Sequence, residues 1–287
     1  MRPFRSVLYM PGSNQRALEK AKTLAADALI LDLEDAVAPD AKAEARNLIA
    51  TAVNQGGYVN RYLIVRINGF DTEWGKDDLA GIADCKPHAI LLPKVSTPED
   101  IQTLASKMDK VENFKDTKIW AMMETPLGIL NAAQIAQAHP KLEGFVLGTN
   151  DLVKDIHGLH TADRAPVLTA LSICIMAARA NNLICVDGVF NDIKNTDGLM
   201  QQAEQGRALG FDGITLIHPA QLEPANTVYA PSEADLTEAK AFVDAYAEAI
   251  SQGKAVAVVN GRIVENLHVD NAKRILAQAQ AIAEMTD

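Results

Sequence analysis

Two apolar runs decide the fold of this chain, KIWAMMETPLGILN (residues 118–131) and LEGFVLGTND (residues 142–151). Each holds a short apolar segment bounded by turn formers, which is typical of a strand buried on both faces of a parallel sheet. Each run also leads into an acid, Glu124 in the first and Asp151 in the second. Ligands bind at the carboxyl ends of parallel strands, so we expect both acids to face one functional site.

The same strand pattern recurs along the first three quarters of the chain and alternates with helical stretches. The other six strands are predicted at residues 6–10, 28–36, 62–69, 88–95, 184–190 and 213–219. Helices are predicted at residues 15–26, 40–53, 98–108, 128–138, 163–180 and 198–209. Eight strands in strict alternation predict the α/β class and a (β/α)₈ TIM barrel. An open doubly wound sheet is the alternative, but the first strand is not followed by G-x-G-x-x-G.

The pattern changes after Pro219. A long amphipathic helix is predicted at residues 233–251, a short apolar hairpin at 254–265 and an Ala-rich helix at 270–284. We therefore predict a catalytic barrel at residues 1–222 and a C-terminal helical extension at 223–287. Extensions of this kind often dock on another subunit, so we expect this one to contribute to a neighbouring subunit's site.

Composition narrows the functional class. The chain has 287 residues, 48% of them hydrophobic, and a formal charge of −10. Nucleic acids and anionic membranes reward clustered basic residues, so neither is an expected partner. The N-terminus MRPFRSVLYMPGS lacks the apolar core of a signal peptide, and the three cysteines form no C-x-x-C pair. We expect a cytoplasmic protein that binds neither nucleic acid nor membranes.

Acids dominate the predicted strand ends. The residues there are Pro11 to Arg16, Glu34, Asp35, Arg66, Asn68, Pro93, Lys94, Glu124, Asn150, Asp151, Asp187, Gly188 and His218. Five or six carboxylates around one mouth would repel one another unless cations neutralise them. Histidine and cysteine ligands are scarce, which favours Mg²⁺ over zinc or copper.

Glu124 and Asp151 are the candidate metal ligands, because neighbouring strand ends lie about 5 Å apart and the two acids could share one ion. Asp35 and Glu34 would hold the water molecules of that ion. The alternative for each acid is a purely structural role as a cap on the following helix.

Basic residues near the mouth are few. Arg66 interrupts an apolar strand, where it either pairs with Glu34 or Glu124 or holds a substrate carboxylate or enolate oxygen, and we favour the second role. Ser13, Arg16 and Lys20 form a cluster suited to phosphate at the first helix, with Lys42 and Arg46 as additional members from the second helix. A solvated, salt-bridged surface is the alternative for this cluster.

Several of these motifs together resemble one known family. They are PFRSVLYMPGSNQRALEKA, ALILDLEDAVAPDAKAEAR, IVRING, AILLPKV, MMETPLGILN, GTNDL, DGVF and FDGITLIHPAQL, in this order along the chain. They resemble the citrate lyase β-subunit-like family of the HpcH/HpaI aldolase superfamily, most of all its malyl-CoA lyases and (3S)-malyl-CoA thioesterases. The resemblance implies a homo-oligomeric barrel, a trimer or hexamer, that uses Mg²⁺ or alternatively Mn²⁺. It also implies a 3-hydroxy-3-carboxyacyl-CoA substrate, so that CoA enters as part of the substrate.

The resemblance also assigns roles to single residues. Glu124 and Asp151 match the metal ligands, and Arg66 matches the arginine that holds the substrate. Arg16 and Lys20 match positions near the CoA phosphates. Glu265, in GRIVENLH, stands where the lyases have an aspartate that acts in a neighbouring subunit's site. Its longer side chain puts carbon–carbon cleavage in doubt and favours the thioesterase-type members.

The chemistry requires three tasks of such a site: polarising the 3-oxygen, removing its proton and stabilising an oxyanion. Mg²⁺ suits the first task, Glu265 is the candidate base, and Arg66 is the candidate for the third. Asp35, which would hold water molecules of the ion, is the remaining candidate catalytic residue. Attack by water on the thioester would make the same site a hydrolase. The alternatives are a metal-dependent aldolase that acts on free 2-keto acids and a non-catalytic subunit that binds a CoA metabolite. The acyl group stays open among malyl, methylmalyl, citramalyl and citryl.

Overall fold

A closed parallel barrel of eight strands, in chain order, forms the body of the molecule. The computed structural model describes residues 2–286. The barrel belongs to a compact unit, Phe4–Asn226, and residues 227–286 form a second unit together with residues 2 and 3. The predicted (β/α)₈ barrel is confirmed.

The barrel strands are short and almost entirely buried. They are β1 (Ser6–Pro11), β2 (Ala28–Asp32), β3 (Tyr62–Arg66), β4 (Ala89–Leu92), β5 (Lys118–Met123), β6 (Leu142–Leu147), β7 (Ile184–Asp187) and β8 (Gly213–Leu216). Pairing of Val7 in β1 with Thr215 in β8 closes the ring. The register between β2 and β3 sets Asp32 directly beside Arg66, which brings two opposite charges together at the carboxyl end.

Helices surround the barrel and follow its strands. They are α1 (Gln15–Ala21), α2 (Lys42–Gln55), α3 (Gly75–Gly81), α4 (Pro98–Met108), α5 (Pro126–Leu130), α6 (Ala132–Ile135), α7 (Thr149–Asp155), α8 (Leu168–Ala180), α9 (Thr196–Leu209) and α10 (Leu222–Tyr229). Local chemistry explains several ends. Thr97 and Asp100 form a capping box at the start of α4. Gly210, with φ of 107°, ends α9 in the left-handed conformation that glycine tolerates.

Apolar side chains fill the interior of the barrel. Val7, Ile30, Ile64 and Leu91 belong to this core, together with the fully buried Trp120. Because the interior is packed, the ligand space of a barrel of this kind lies beyond the strand ends.

Several predicted elements of the barrel unit are shorter in the structure, and the second strand and the first helix are two examples. The second strand stops at Asp32 rather than at residue 36, because the Asp32 carboxylate accepts the backbone N–H groups of Glu34 and Ala36 at 2.9 and 3.1 Å. These bonds turn the chain out of the sheet. The first helix ends at Ala21 rather than at residue 26.

The C-terminal unit is an antiparallel hairpin with two long helices. It contains α11 (Glu233–Ser251), β9 (Ala257–Val259), β10 (Arg262–Val264) and α12 (Asn266–Thr286). Val264 and Val269 anchor its own small apolar core. Among residues 2–286, every helix is too short or too polar to cross a lipid bilayer.

Candidate active site

A cavity of about 330 Å³ opens at the carboxyl ends of the barrel strands. Its walls come from β1, β2, β3, β5 and the loops after β6, β7 and β8. Acidic, basic, polar and apolar side chains line it. They are Tyr9, Asp32, Asp35, Arg66, Met122, Glu124, Asn150, Asp151, Val189, Asn191 and Ile217. The structure therefore brings Glu124 and Asp151 to one cavity, together with Arg66 and Asp35.

Glu124 follows β5 directly and is 1% exposed. Its Oε1 accepts the backbone N–H of Lys94 at 2.8 Å. Burial raises the pKa of Glu124 to about 8, Glu34 and Asp151 add to the rise, and the Lys94 N–H opposes it. The charged form of this carboxylate is therefore costly by itself, and a cation beside it would stabilise that form.

Asp151 reaches the cavity from a helix rather than from a strand. β6 ends at Leu147, and Asp151 lies in the first turn of α7 with its side chain 28% exposed. Lys154, on the same helix, lies 3.5 Å from Oδ1 of Asp151. This ion pair is exposed, so it leaves Asp151 able to turn toward a ligand.

The donor set of the cavity fits a hard cation. Its lining offers carboxylate, amide and hydroxyl oxygens and neither histidine nor cysteine. Within residues 2–286, no three His, Cys, Asp or Glu side chains gather into a ready-made metal group. Mg²⁺ takes one or two protein carboxylates and completes its shell with water and ligand oxygens, and two carboxylates such as Glu124 and Asp151 fit that requirement.

Arg66 is held in place by acids of the β2 loop. Its Nε and Nη2 donate to the two oxygens of Asp32 at 2.6 Å each, and its Nη1 lies 2.7 Å from Glu34. Asp35 is more distant, at 3.9 Å. Pairing with Glu34 was one of the two predicted roles of Arg66. The bidentate contact with Asp32 was not predicted, although the β2–β3 register produces it.

A buried lysine holds the loop that carries Glu34 through hydrogen bonds to its backbone. Nζ of Lys42 donates to the carbonyl oxygens of Leu33 and Glu34 at 2.9 and 3.1 Å. Burial raises the pKa of Glu34 to about 7 while Arg66 opposes the rise. The expectation that Lys42 joins a basic surface cluster is therefore wrong, because this side chain is needed to satisfy two carbonyl groups.

Arg46 is likewise not part of that cluster, because it pairs with the buried Asp78 at 2.7 Å. Ser13, Arg16 and Lys20 are exposed on the β1–α1 loop and on α1. Asn14 caps this helix by accepting the Ala17 N–H at 3.1 Å. A role of the exposed cluster in binding phosphates stays a prediction.

Asp187 lies at the end of β7 but is fully buried and does not line the cavity. Arg164, which sequence reasoning missed, lies 2.6 Å from its Oδ2 and also donates to Gln205 at 2.6 Å. One of the expected repelling carboxylates is thus neutralised by a residue of the α7–α8 loop. No local signal marks Arg164, since the contact spans 23 residues of sequence.

Glu265, the candidate base, lies in the C-terminal unit just before α12. Its side chain is exposed, and its backbone N–H donates to Nδ1 of His268 at 3.0 Å. Its catalytic role stays a prediction.

Two polar features of the cavity were not foreseen. Tyr9 lies within the apolar run SVLYM, where alternation along the strand turns its side chain toward the barrel interior and the cavity. Asn150 and Asn191 exchange two hydrogen bonds, at 3.1 and 2.8 Å, across the loops that follow β6 and β7.

Residues 5–219 match the HpcH/HpaI aldolase/citrate lyase family, which covers the whole barrel. The chain belongs to this family. The resemblance inferred from the strand-end motifs is thereby confirmed.

Two relatives span nearly the whole chain. A (3S)-malyl-CoA thioesterase of Cereibacter sphaeroides is 54% identical over 98% of this chain and 96% of its own length. The citrate lyase subunit beta of Escherichia coli is 32% identical over 96% of this chain and 93% of its own. Both are enzymes, one named for hydrolysis of a thioester and the other for a lyase reaction.

Solved structures of the same architecture carry metal and cofactor. Protein CitE from Mycobacterium tuberculosis, in complex with magnesium, acetoacetate and coenzyme A, matches with a TM-score of 0.80 and 28% identity over 98% of this chain and all of its own. A citrate lyase beta subunit from the same organism, with oxaloacetate and magnesium, matches with a TM-score of 0.70 and 29% identity over 80% of this chain and 98% of its own.

Proposed function

We propose that this chain is a Mg²⁺-dependent enzyme that hydrolyses (3S)-malyl-CoA or a related 3-hydroxy-3-carboxyacyl-CoA to the free acid and CoA. The observation that carries the proposal is that Asp151, Arg66 and the buried Glu124 all line the same cavity. The 54% identity to a (3S)-malyl-CoA thioesterase supports hydrolysis as the reaction.

Retro-Claisen cleavage to glyoxylate and acetyl-CoA is the second candidate. The 32% identity to a citrate lyase beta subunit favours it. The same site could serve either reaction, because hydrolysis and retro-Claisen cleavage both place negative charge on the thioester oxygen. Glu265 in place of the lyase aspartate argues for hydrolysis.

Glu124 and Asp151 would hold the ion, and the bound ion would supply a positive charge for the oxygens of the substrate. Asp35, exposed at the cavity wall, would accept hydrogen bonds from water in the site. Arg66 would orient the substrate through the N–H groups that Asp32 and Glu34 leave free. Glu265 would remove the proton from the attacking water, contributed either by the same chain or by a neighbouring copy.

The CoA part of the substrate would contact Ser13, Arg16 and Lys20. These residues provide positive charge at the surface of a protein whose formal charge is −10, so they offer a local site for the phosphates. We also propose a cytoplasmic homo-oligomer, trimer or hexamer, in which the C-terminal extension completes the site of a neighbouring copy. Mn²⁺ would be able to replace Mg²⁺ because it prefers the same oxygen ligands.

The decisive experiment is to incubate the protein with (3S)-malyl-CoA and Mg²⁺ and to identify the products. Malate with free CoA supports hydrolysis, and glyoxylate with acetyl-CoA supports the lyase reaction. The absence of both pairs of products would refute the proposal. Replacing Glu124 by Ala should abolish the Mg²⁺-dependent turnover, whereas Glu99→Ala, an exposed control on α4, should not.

A second experiment separates CoA esters from free acids. The double variant Arg16→Ala, Lys20→Ala should raise KM for the CoA ester and leave kcat unchanged. An unchanged KM together with turnover of a free 2-keto acid would favour the aldolase alternative. Binding of CoA without any turnover would favour a non-catalytic subunit.

A further inference from the structure

The phenol of Tyr9 is a group on the cavity wall that the proposed reaction leaves without a task. Tyr9 lies on β1 and packs against the apolar core of the barrel interior. It lines the cavity together with Glu124 and Arg66. The guanidinium carbon of Arg66 lies 5.0 Å from the centre of its ring. A phenol in this position is close to the groups expected to contact the substrate.

The hydroxyl of Tyr9 lacks a strong hydrogen-bond partner. Within residues 2–286, its one hydrogen bond is a 3.9 Å contact with Sδ of Met122. Thioether sulfur is a weak acceptor, whereas polar groups inside proteins normally bond to stronger ones. A carbonyl or carboxylate oxygen of a ligand would therefore be a better partner than any that the barrel supplies.

Arg66 cannot serve a developing oxyanion with its full set of donors. A guanidinium has five N–H groups, and three of them are directed at Asp32 and Glu34. Oxyanion sites generally combine donors from different groups aimed at one oxygen. Tyr9 is the neighbouring hydroxyl that could add the missing donor.

The protonation state of Tyr9 suits a donor. Burial raises the pKa of Tyr9 well above its usual value, and the nearby carboxylates Asp32, Glu124 and Glu34 outnumber the opposing Arg66. The phenol thus keeps its proton at neutral pH and does not act as a base.

We propose that the Tyr9 hydroxyl is a catalytic residue that donates a hydrogen bond to the thioester carbonyl oxygen of the substrate. This inference rests on the proposed hydrolysis. A water oxygen bonds to the thioester carbon and loses a proton to the base, while one electron pair of the carbonyl moves onto its oxygen. When that pair returns, the carbon–sulfur bond breaks and the sulfur takes up a proton. Tyr9 keeps its own proton throughout.

The test is the variant Tyr9→Phe, which removes the hydroxyl and keeps the ring. Its matched control is Tyr58→Phe, since the Tyr58 hydroxyl is buried and donates to the Leu18 carbonyl at 3.1 Å, away from the cavity lining. With (3S)-malyl-CoA and Mg²⁺, Tyr9→Phe should lower kcat about 100-fold, the typical loss for one oxyanion donor, with KM little changed. Tyr58→Phe should keep the wild-type kcat, and both variants are checked by thermal melting.

Each possible result either supports or overturns the proposed role of Tyr9. An unchanged kcat in Tyr9→Phe overturns the inference, and so does a raised KM at constant kcat, which would mean binding of the ground state alone. A lower kcat that accompanies a lower Tm than that of Tyr58→Phe would indicate a structural role and also overturn it. If the wild-type protein turns over no malyl-CoA, the proposed function fails and the role of Tyr9 fails with it. An active wild type with an unaffected Tyr9→Phe refutes the role of Tyr9 alone.

Discussion

Gly148→Ala should disable the site without touching a charged residue. Gly148 has φ of −99°, which alanine adopts readily, so space rather than backbone conformation limits this position. An added Cβ would collide with the Cβ and the Oε2 of Glu124. Glu124 has little room to yield, because it is buried and its Oε1 is hydrogen-bonded to the Lys94 N–H.

The expected magnitude follows from the two ways in which the collision can relax. If Glu124 stays in place, overpacking costs about 1–3 kcal/mol of folding free energy. If Glu124 moves, the backbone N–H of Lys94 loses its acceptor, which costs roughly 1–3 kcal/mol. Either route lowers stability by about 2 kcal/mol. A displaced ligand should also weaken Mg²⁺ binding by roughly 10–100-fold, as happens when groups that orient metal ligands are lost.

Urea denaturation without metal measures the first effect, and Mg²⁺ titration of turnover and of Tm measures the second. Gly158→Ala is the matched control, because the atoms nearest to its added Cβ, in the side chains of Ile156 and Pro166, would lie 3.3 Å or more away. Wild-type Mg²⁺ dependence in Gly148→Ala would refute the prediction that the added methyl group displaces a metal ligand. A loss of equal size in Gly158→Ala would show that the effect is not specific to the cavity.

Two further substitutions test the supports of the cavity. Arg164→Met should destabilise the fold by about 3–5 kcal/mol, because it strands the buried Asp187 carboxylate. Burial already raises the pKa of Asp187 while Arg164 opposes the rise, so the variant should raise this pKa further. A protein that contains a carboxyl group with a raised folded-state pKa becomes less stable as pH increases. Urea denaturation should therefore show a larger loss of unfolding free energy near pH 8 than near pH 5. Lys42→Met should cost roughly 1–3 kcal/mol, because it leaves the buried carbonyl group of Leu33 and the partly buried one of Glu34 without their ammonium donor. Lys76→Met, at an exposed position, should change stability little. Equal stabilities of the two lysine variants would contradict this role of Lys42.

Local sequence carried most of the fold. Runs such as AILL and ICVD are largely apolar, so their composition predicts burial without knowledge of the neighbouring strands. Their alternation with amphipathic stretches predicts parallel strands with helices between them. Helix ends such as Thr97 and Gly210 depend on residues within one turn, so they too could be predicted. Glu124 was visible for the same reason, since it ends an apolar strand.

Apart from the Arg66–Glu34 pair, which was one of two predicted roles of Arg66, the pairings between distant residues could not be predicted from the sequence. Arg66 takes Asp32 as its main partner because the strand register places them side by side, and Arg164 finds Asp187 across 23 positions. Lys42 was expected on the surface, yet it is buried against carbonyl groups of the β2 loop. Which charges neutralise one another depends on distances of a few ångströms, and a sequence does not contain those distances.

For this chain, the one-dimensional order of apolar and polar residues was enough for the barrel, for its family and for the acids at its rim, because burial and chain periodicity act over a few neighbouring positions. Closing the barrel decided the rest. It placed Glu124 and Asp151 on one cavity, engaged Arg66 with two acids, removed Asp187 from the site and set Tyr9 in the lining of the same cavity. These features depend on contacts between strands far apart in sequence, and such contacts exist only once the barrel has closed.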